Sequence, residues 1–211
     1  MENLINELIS EGYLKTNRII TAFRKIHRRD FLPEDIKDDY ALNIPLPIDY
    51  GQTISQPLTV AFMLELLQPK TGEKILDIGS GSGWQTTMLA EIVGVSGKVI
   101  AIERIPNLKA FGEKNVAKYN FKNVQFICAD GTKGYKKEAP FDKIIVAAAA
   151  KEIPKDLKKQ LKVGGRLVIP VGEYEQDMIC LDKISDDEFE EKSYPGFQFV
   201  PLIPAEFGKE E

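Results

Sequence analysis

Apolar positions along this chain fall into two textures. Leu4, Ile5, Leu8 and Ile9 recur at helical spacing, as do Ile19, Ile20, Phe23 and Ile26, so the opening stretch reads as two short amphipathic helices. Thr16 or Asn17 is placed to cap the second. Residues 30–53 lose the periodicity. Pro33, Pro45 and Pro47 interrupt them, yet Ile44, Leu46, Ile48 and Tyr50 give too much apolar surface for a free linker. The stretch reads as an ordered loop of the kind that carries function. Ser55-Gln56-Pro57 then opens a helix, with Ser55 as N-cap and Pro57 in the first turn. Val60, Leu64 and Leu67 mark its inward face.

From residue 73 onward, strands alternate with helices. The pattern predicts strands over 74–78, 98–102, 124–128, 141–148 and 166–171, with helices over 83–93, 106–119 and 154–161. Near-continuous apolar runs such as 141–148 suit parallel strands covered on both faces. The alternation predicts βαβ units and an α/β fold with a doubly wound, mostly parallel sheet. In the tail, 178–184 and 188–192 bracket Ser185-Asp186-Asp187 as a β-hairpin, and 197–202 reads as one more strand. Residues 1–211 are expected to form one domain. It divides into N-terminal helices and loop (1–57), an α/β core (58–172) and a C-terminal hairpin and strand (173–211).

Composition narrows the function classes. Of 211 residues, 43% are hydrophobic, enough for a sizeable core, and the net charge of −4 argues against nucleic acid as the main partner. Two cysteines and one histidine support neither a disulfide framework nor a His-ligated metal site. No stretch reaches the roughly 18 apolar residues of a membrane span, and the acidic N-terminus does not read as a signal peptide. A cytoplasmic monomer without a membrane partner is the default expectation. Arg24, Lys25, Arg28 and Arg29 read as a solvated helix face or, in the sharper alternative, as a docking site for an acidic partner. Cys128 is expected in a core strand, and Trp84 is expected to pack a helix rather than bind a ligand.

The strongest local chemistry is Ile75-Leu76-Asp77-Ile78-Gly79-Ser80-Gly81-Ser82-Gly83, running off a strand into a helix. Glycines there permit a tight turn and close backbone approach to a ligand. The dinucleotide fingerprint G-x-G-x-x-G fits at Gly79 and Gly81 but meets Trp84 where a small residue is wanted. S-adenosylmethionine fits better, because it has no phosphate and carries a sulfonium cation that Asp77 suits. Glu103 ends the next strand, where an acid can hold both ribose hydroxyls, and Asp130-Gly131 ends the one after, near the adenine. Three polar positions at successive strand ends place one ligand across the carboxyl edge of the sheet.

With these motifs the chain resembles the protein-L-isoaspartate O-methyltransferases. The cofactor loop 76–83 is similar to that family's. More specific are Pro45-Leu46-Pro47-Ile48 and Gly51-Gln52-Thr53-Ile54-Ser55-Gln56-Pro57. Arg29-Asp30-Phe31-Leu32-Pro33, Phe141–Val146, Gly164–Gly172 and Phe199-Val200-Pro201-Leu202 follow in family order. The chain departs from the family at Asn43, usually Asp, and at Asp49, usually Gly. It also departs at Ala147 (usually Thr), at Lys151 (usually Pro) and at Ile203-Pro204. The resemblance implies the class I S-adenosylmethionine methyltransferase fold. It implies methylation of the free α-carboxylate of L-isoaspartyl residues in damaged peptides and proteins, with S-adenosylhomocysteine as product. The ester then collapses to a succinimide.

The resemblance also marks Ser55 as the essential serine, a positioning group for the substrate carboxylate. Thr53 and Ile54 are expected beside the reacting methyl. Gly79, Ser80, Gly81, Arg104 and Gly131 join Asp77, Glu103 and Asp130 in the cofactor site. Val200, Pro201 and Leu202 are expected to wall the peptide, and Gln176 to reach the substrate loop or the cofactor. The rival readings are methylation of another acceptor, an inactive cofactor-binding paralogue, and a dinucleotide oxidoreductase.

Overall fold

The structure, a computed structural model, describes residues 1–204; the end of the expected 173–211 extension lies outside the described residues. Its centre is a seven-stranded sheet. In chain order the strands are β3 (Lys74–Ile78), β4 (Lys98–Glu103), β5 (Val124–Cys128), β6 (Phe141–Val146), β7 (Leu161–Val171), β8 (Gln176–Lys183) and β9 (Phe189–Phe197), arranged spatially β5-β4-β3-β6-β7-β8-β9. The first five are parallel, and β8 and β9 add an antiparallel hairpin beside β7.

Both faces of the sheet are covered, and strand parity sorts the side chains between them. Ile75, Val99, Ile145 and Val168 enter one core. Their neighbours Leu76, Ile100, Ile144 and Leu167 enter the other. This double burial explains the near-continuous apolar strands. The first core also receives α1 (Glu2–Ser10), α2 (Asn17–Lys25), α3 (Pro57–Leu67), α4 (Trp84–Val93) and α5 (Pro106–Ala117) through residues such as Leu8, Phe23, Leu64, Met88 and Leu108. The short α6 (Lys155–Gln160) places Leu157 in the second. Trp84, at the start of α4, packs edge-to-face on Phe23 of α2, with ring centroids 5.6 Å apart.

The loop 30–53 contains a two-stranded hairpin, β1 (Leu46–Pro47) with β2 (Thr53–Ile54), that the sequence pattern does not announce. Ser55 is not the cap of α3. That helix begins at Pro57 with Gln56 as N-cap, and the amide of Leu58 donates to Asn43 Oδ1 at 3.0 Å. Thr16 precedes α2, but its hydroxyl donates to Glu65 on α3 instead of capping its own helix.

Further expectations are corrected. The β6 strand stops at Val146, two residues short of the predicted end. The final strand over 197–202 does not form: β9 ends at Phe197, and beyond it a single bridge joins Pro201 to Ala149. Cys128 is exposed, because β5 is the edge of the sheet and half-covered. Among the described residues no helix is long and apolar enough to cross a membrane, and no cluster of potential metal ligands occurs.

Candidate active site

The carboxyl ends of β3, β4 and β6 open into one cleft, bordered by Gly79, Gly81, Glu103, Gly131 and Ala147. Its roof is the β1–β2 hairpin. Ile48 rests on the glycine loop so closely that a Cβ on Gly81, whose φ is +49°, would lie 3.1 Å from Ile48 Cδ1. At the hairpin tip the Tyr50 hydroxyl accepts a hydrogen bond from Asn107 Nδ2 of α5 at 2.6 Å. The hairpin therefore straps the cleft from above.

Glu103 is the acid that faces this cleft. One of its oxygens accepts from the Gly81 amide and the other from the Ile105 amide, both at 3.0 Å. Each carboxylate oxygen retains acceptor capacity. Arg104 borders the same space, and so does Gly131, where a Cβ would lie 2.4 Å from Ile78 Cγ2. The backbone passes at 131 only because there is no side chain.

Asp77 and Asp130 are not brought to the cleft wall. Asp77 is fully buried and accepts from Thr86 Oγ1 at 2.6 Å and Gln85 Nε2 at 2.9 Å, both in the first turn of α4. It fastens the glycine loop's helix to β3. Burial pushes its carboxyl up to about 6, while the two hydrogen bonds pull it down and Glu103 adds to the rise. Asp130 caps the turn after β5, accepting from the amide and hydroxyl of Thr132 at 2.9 and 2.7 Å.

Ser55 is half-buried in a wall shared by two smaller spaces. One is an outward groove bordered by Pro45, Gln56, Thr59, Phe199 and Val200. The other lies under the glycine loop beside Ile54, Ser80 and Trp84. Thr53 and Ala147 border both of these spaces and the main cleft. The Ser80 hydroxyl is buried without a partner.

Val200, Pro201 and Leu202 form the far side of the main cleft. Their path is fixed by hydrogen bonds from the Ala149 amide to Val200 O and from the Leu202 amide to Ala149 O, at 2.8 and 2.7 Å. Gln176 hydrogen-bonds neither to the loop 30–53 nor to a residue lining the main cleft, among the described residues. Its amide donates to Phe199 O at 3.2 Å and accepts from Phe199 N at 2.6 Å, anchoring that wall from behind.

The basic cluster of the second helix resolves differently from the expectation. Arg24 and Arg29 are exposed and make surface ion pairs, whereas Arg28 has no exposed surface. The helix ends at Lys25, and residues 28–31 form a 3-10 turn. With three residues per turn, Arg28 and Phe31 share one face, and both turn inward. That change of period is the signal that a continuous helical reading misses. The roofing roles of Ile48 and Tyr50 and the central place of Ala147 were likewise not read from the sequence.

Comparison with known proteins places nearly the whole chain among relatives of one kind. The family model for protein-L-isoaspartate(D-aspartate) O-methyltransferase matches residues 1–206. The chain is 44% identical over 207 residues to the protein-L-isoaspartate O-methyltransferase of Methanopyrus kandleri, covering 97% of this chain and 92% of the relative. It is 46% identical over 201 residues to protein-L-isoaspartate O-methyltransferase 2 of Archaeoglobus fulgidus, covering 95% and 91%. The fold superposes with a TM-score of 0.85 on a Plasmodium falciparum protein assigned to the same enzyme class and crystallised with S-adenosyl-L-homocysteine. There the identity is 26%, and the match covers 95% of this chain and 97% of that one. The chain belongs to the protein-L-isoaspartate(D-aspartate) O-methyltransferase family.

Proposed function

We propose that this protein transfers a methyl group from S-adenosylmethionine to the free α-carboxylate of L-isoaspartyl residues in peptides and proteins. The observation that carries the reading is that Thr53 and Ala147 border both the cleft at the strand ends and the outward groove, with Ser55 beside Thr53 in the wall of that groove. A cofactor in one and a peptide in the other would meet there.

The residues present fit the cofactor. Glu103 has spare acceptor capacity for ribose hydroxyls, and the Ser80 hydroxyl is unpartnered beside the glycine loop. Gly79, Gly81, Arg104 and Gly131 would line it, with Thr53 and Ile54 nearest the reacting group, while Asp77 and Asp130 support it from behind. S-adenosylmethionine supplies an electrophilic methyl group on a sulfonium.

The chain's own residues have a limited chemical task. A carboxylate with an ordinary pKa of about 4 is ionised at neutral pH, so no general base is required. Ser55 donates its hydroxyl to one carboxylate oxygen and leaves the other to attack. The nearby start of α3 favours an anion. Val200, Leu202 and Ile48 give the cleft an apolar wall opposite Glu103 and Arg104, and excluding water there suits a reaction that neutralises charge. Holding reactants in line is worth up to about 7–11 kcal/mol of barrier. The reading includes a cytosolic setting, a monomer, and peptide and protein substrates rather than nucleic acid.

The test is methyl transfer from labelled S-adenosylmethionine to two peptides that differ only in one isoaspartyl or aspartyl residue. Base-labile ester on the isoaspartyl peptide alone is expected, and Ser55→Ala should abolish most of it while retaining cofactor binding. Transfer to neither peptide by a protein that binds the cofactor would refute the reading and favour another acceptor or an inactive paralogue.

A further inference from the structure

Arg28 is a buried cation with no carboxylate among its partners. Four of its five N–H groups are directed at backbone carbonyls. Nη1 donates to Leu42 O at 2.9 Å and, at 3.4 Å, to Tyr40 O. Nη2 donates to Ile44 O at 2.8 Å and to Ser55 O at 3.1 Å. Its Nε finds no partner, and its guanidinium carbon lies 5.5 Å from the ring centroid of Trp84. One side chain thus joins the substrate-side loop, the backbone of Ser55 and the helix that follows the glycine loop. Burial lowers its pKa to about 10, so it stays charged at neutral pH.

A fully buried charge without a counter-ion is costly. A planar fork is the side chain that can bond several carbonyls of fixed geometry at once; an ammonium cannot reproduce it. We propose that Arg28 is a positioning residue for the transfer: it fixes the Ser55 backbone relative to the cofactor helix, so that the Ser55 hydroxyl holds the substrate carboxylate in line. The inference rests on the reading of Ser55 given above. Arg28 acts through Ser55 and the 40–44 segment and does not touch the reacting atoms.

A double-mutant cycle tests this on the whole protein. Arg28→Lys keeps the charge and the stem but loses the fork. Misplacement on the ångström scale costs on the order of 10²-fold in rate, so Arg28→Lys should lower kcat on the isoaspartyl peptide by about that factor. KM and S-adenosylhomocysteine affinity should stay within about threefold, since only the transition-state alignment is lost. In a Ser55→Ala background the same change should cost less than about threefold, because residues that act as a unit are not additive. An equal loss in both backgrounds, or a loss confined to KM, would overturn the proposal. Full activity of Ser55→Ala would overturn it together with the reading of Ser55, whereas a low Ser55→Ala with an unaffected Arg28→Lys overturns the proposal alone.

Should Arg28→Lys fail to fold, guanidinium exchange in the unaltered protein serves instead. Slowly exchanging Nη protons of Arg28 in the parent's NMR spectrum are expected. Exchange as fast as that of a surface arginine would refute the clamp.

Discussion

Asp77→Asn separates a fastener from a cofactor ligand and gives a signature in pH. Asp77 is fully buried, and its carboxyl is raised from 3.8 to about 6, chiefly by desolvation. At about 1.36 kcal/mol per pKa unit, a shift of ~2 units corresponds to about 3 kcal/mol. Between pH 4 and 6 the folded protein keeps this proton while the unfolded chain releases it. The native state then binds more protons, so stability falls as pH rises. The contribution of Asp77 is fully present below the unfolded pKa, is lost through the folded value near 6, and is flat above 7. An asparagine can accept from Gln85 and donate to Thr86 Oγ1, reversing one bond, without any charge to bury. The variant should therefore gain up to about 3 kcal/mol on its parent between pH 4 and 7. Urea unfolding of both proteins at each pH measures this. Taking the difference cancels the exposed carboxylates, whose pKa values are lowered and whose trend is opposite. Parallel curves would refute the linkage. S-adenosylhomocysteine affinity should remain within about threefold of the parent if Asp77 only supports the loop; a collapse of affinity at unchanged stability would return Asp77 to the cofactor.

Gly131→Ala places a methyl group 2.4 Å from Ile78 Cγ2 in the buried strand, so it should destabilise by about 1–3 kcal/mol and weaken S-adenosylhomocysteine binding; an unchanged melting temperature refutes it. Tyr50→Phe removes the bond to Asn107 that ties down the hairpin tip. Stopped-flow release of S-adenosylhomocysteine should be several-fold faster at a stability loss of about 1 kcal/mol; an unchanged release rate refutes the strap. Asp49 holds φ at +72°, a region that costs a non-glycine residue about 1–2 kcal/mol, so Asp49→Gly should raise the urea midpoint, and a lower midpoint would show that the side chain compensates the strain.

The contrast between Asp77 and Glu103 shows where sequence reading stops. Both are acids near the ends of successive parallel strands, and residue type alone gives them the same role. The strand register separates them. Asp77 pairs opposite Ala101, so Glu103 stands two residues nearer the carboxyl edge. That offset puts one acid under α4 and the other in the cleft. The parallel core was legible because its signal is local: period-two burial on both faces fixes each strand. The glycine loop was legible for the same reason. The side chains that shape the wall around Ser55 were not, because their partners are backbone groups. Arg28 bonds four carbonyls, Gln176 holds Phe199 at both its amide and its carbonyl, and Asn43 accepts from the Leu58 amide. Every residue carries those backbone groups, so composition and spacing give no sign of which side chain will find them. An arginine beside other basic residues reads as surface until the 3-10 turn rotates it inward. The resemblance could name Ser55 from its flanking motif. It could not show what holds Ser55 in place, and on that point the geometry of Arg28 and the double-mutant cycle go beyond the motif.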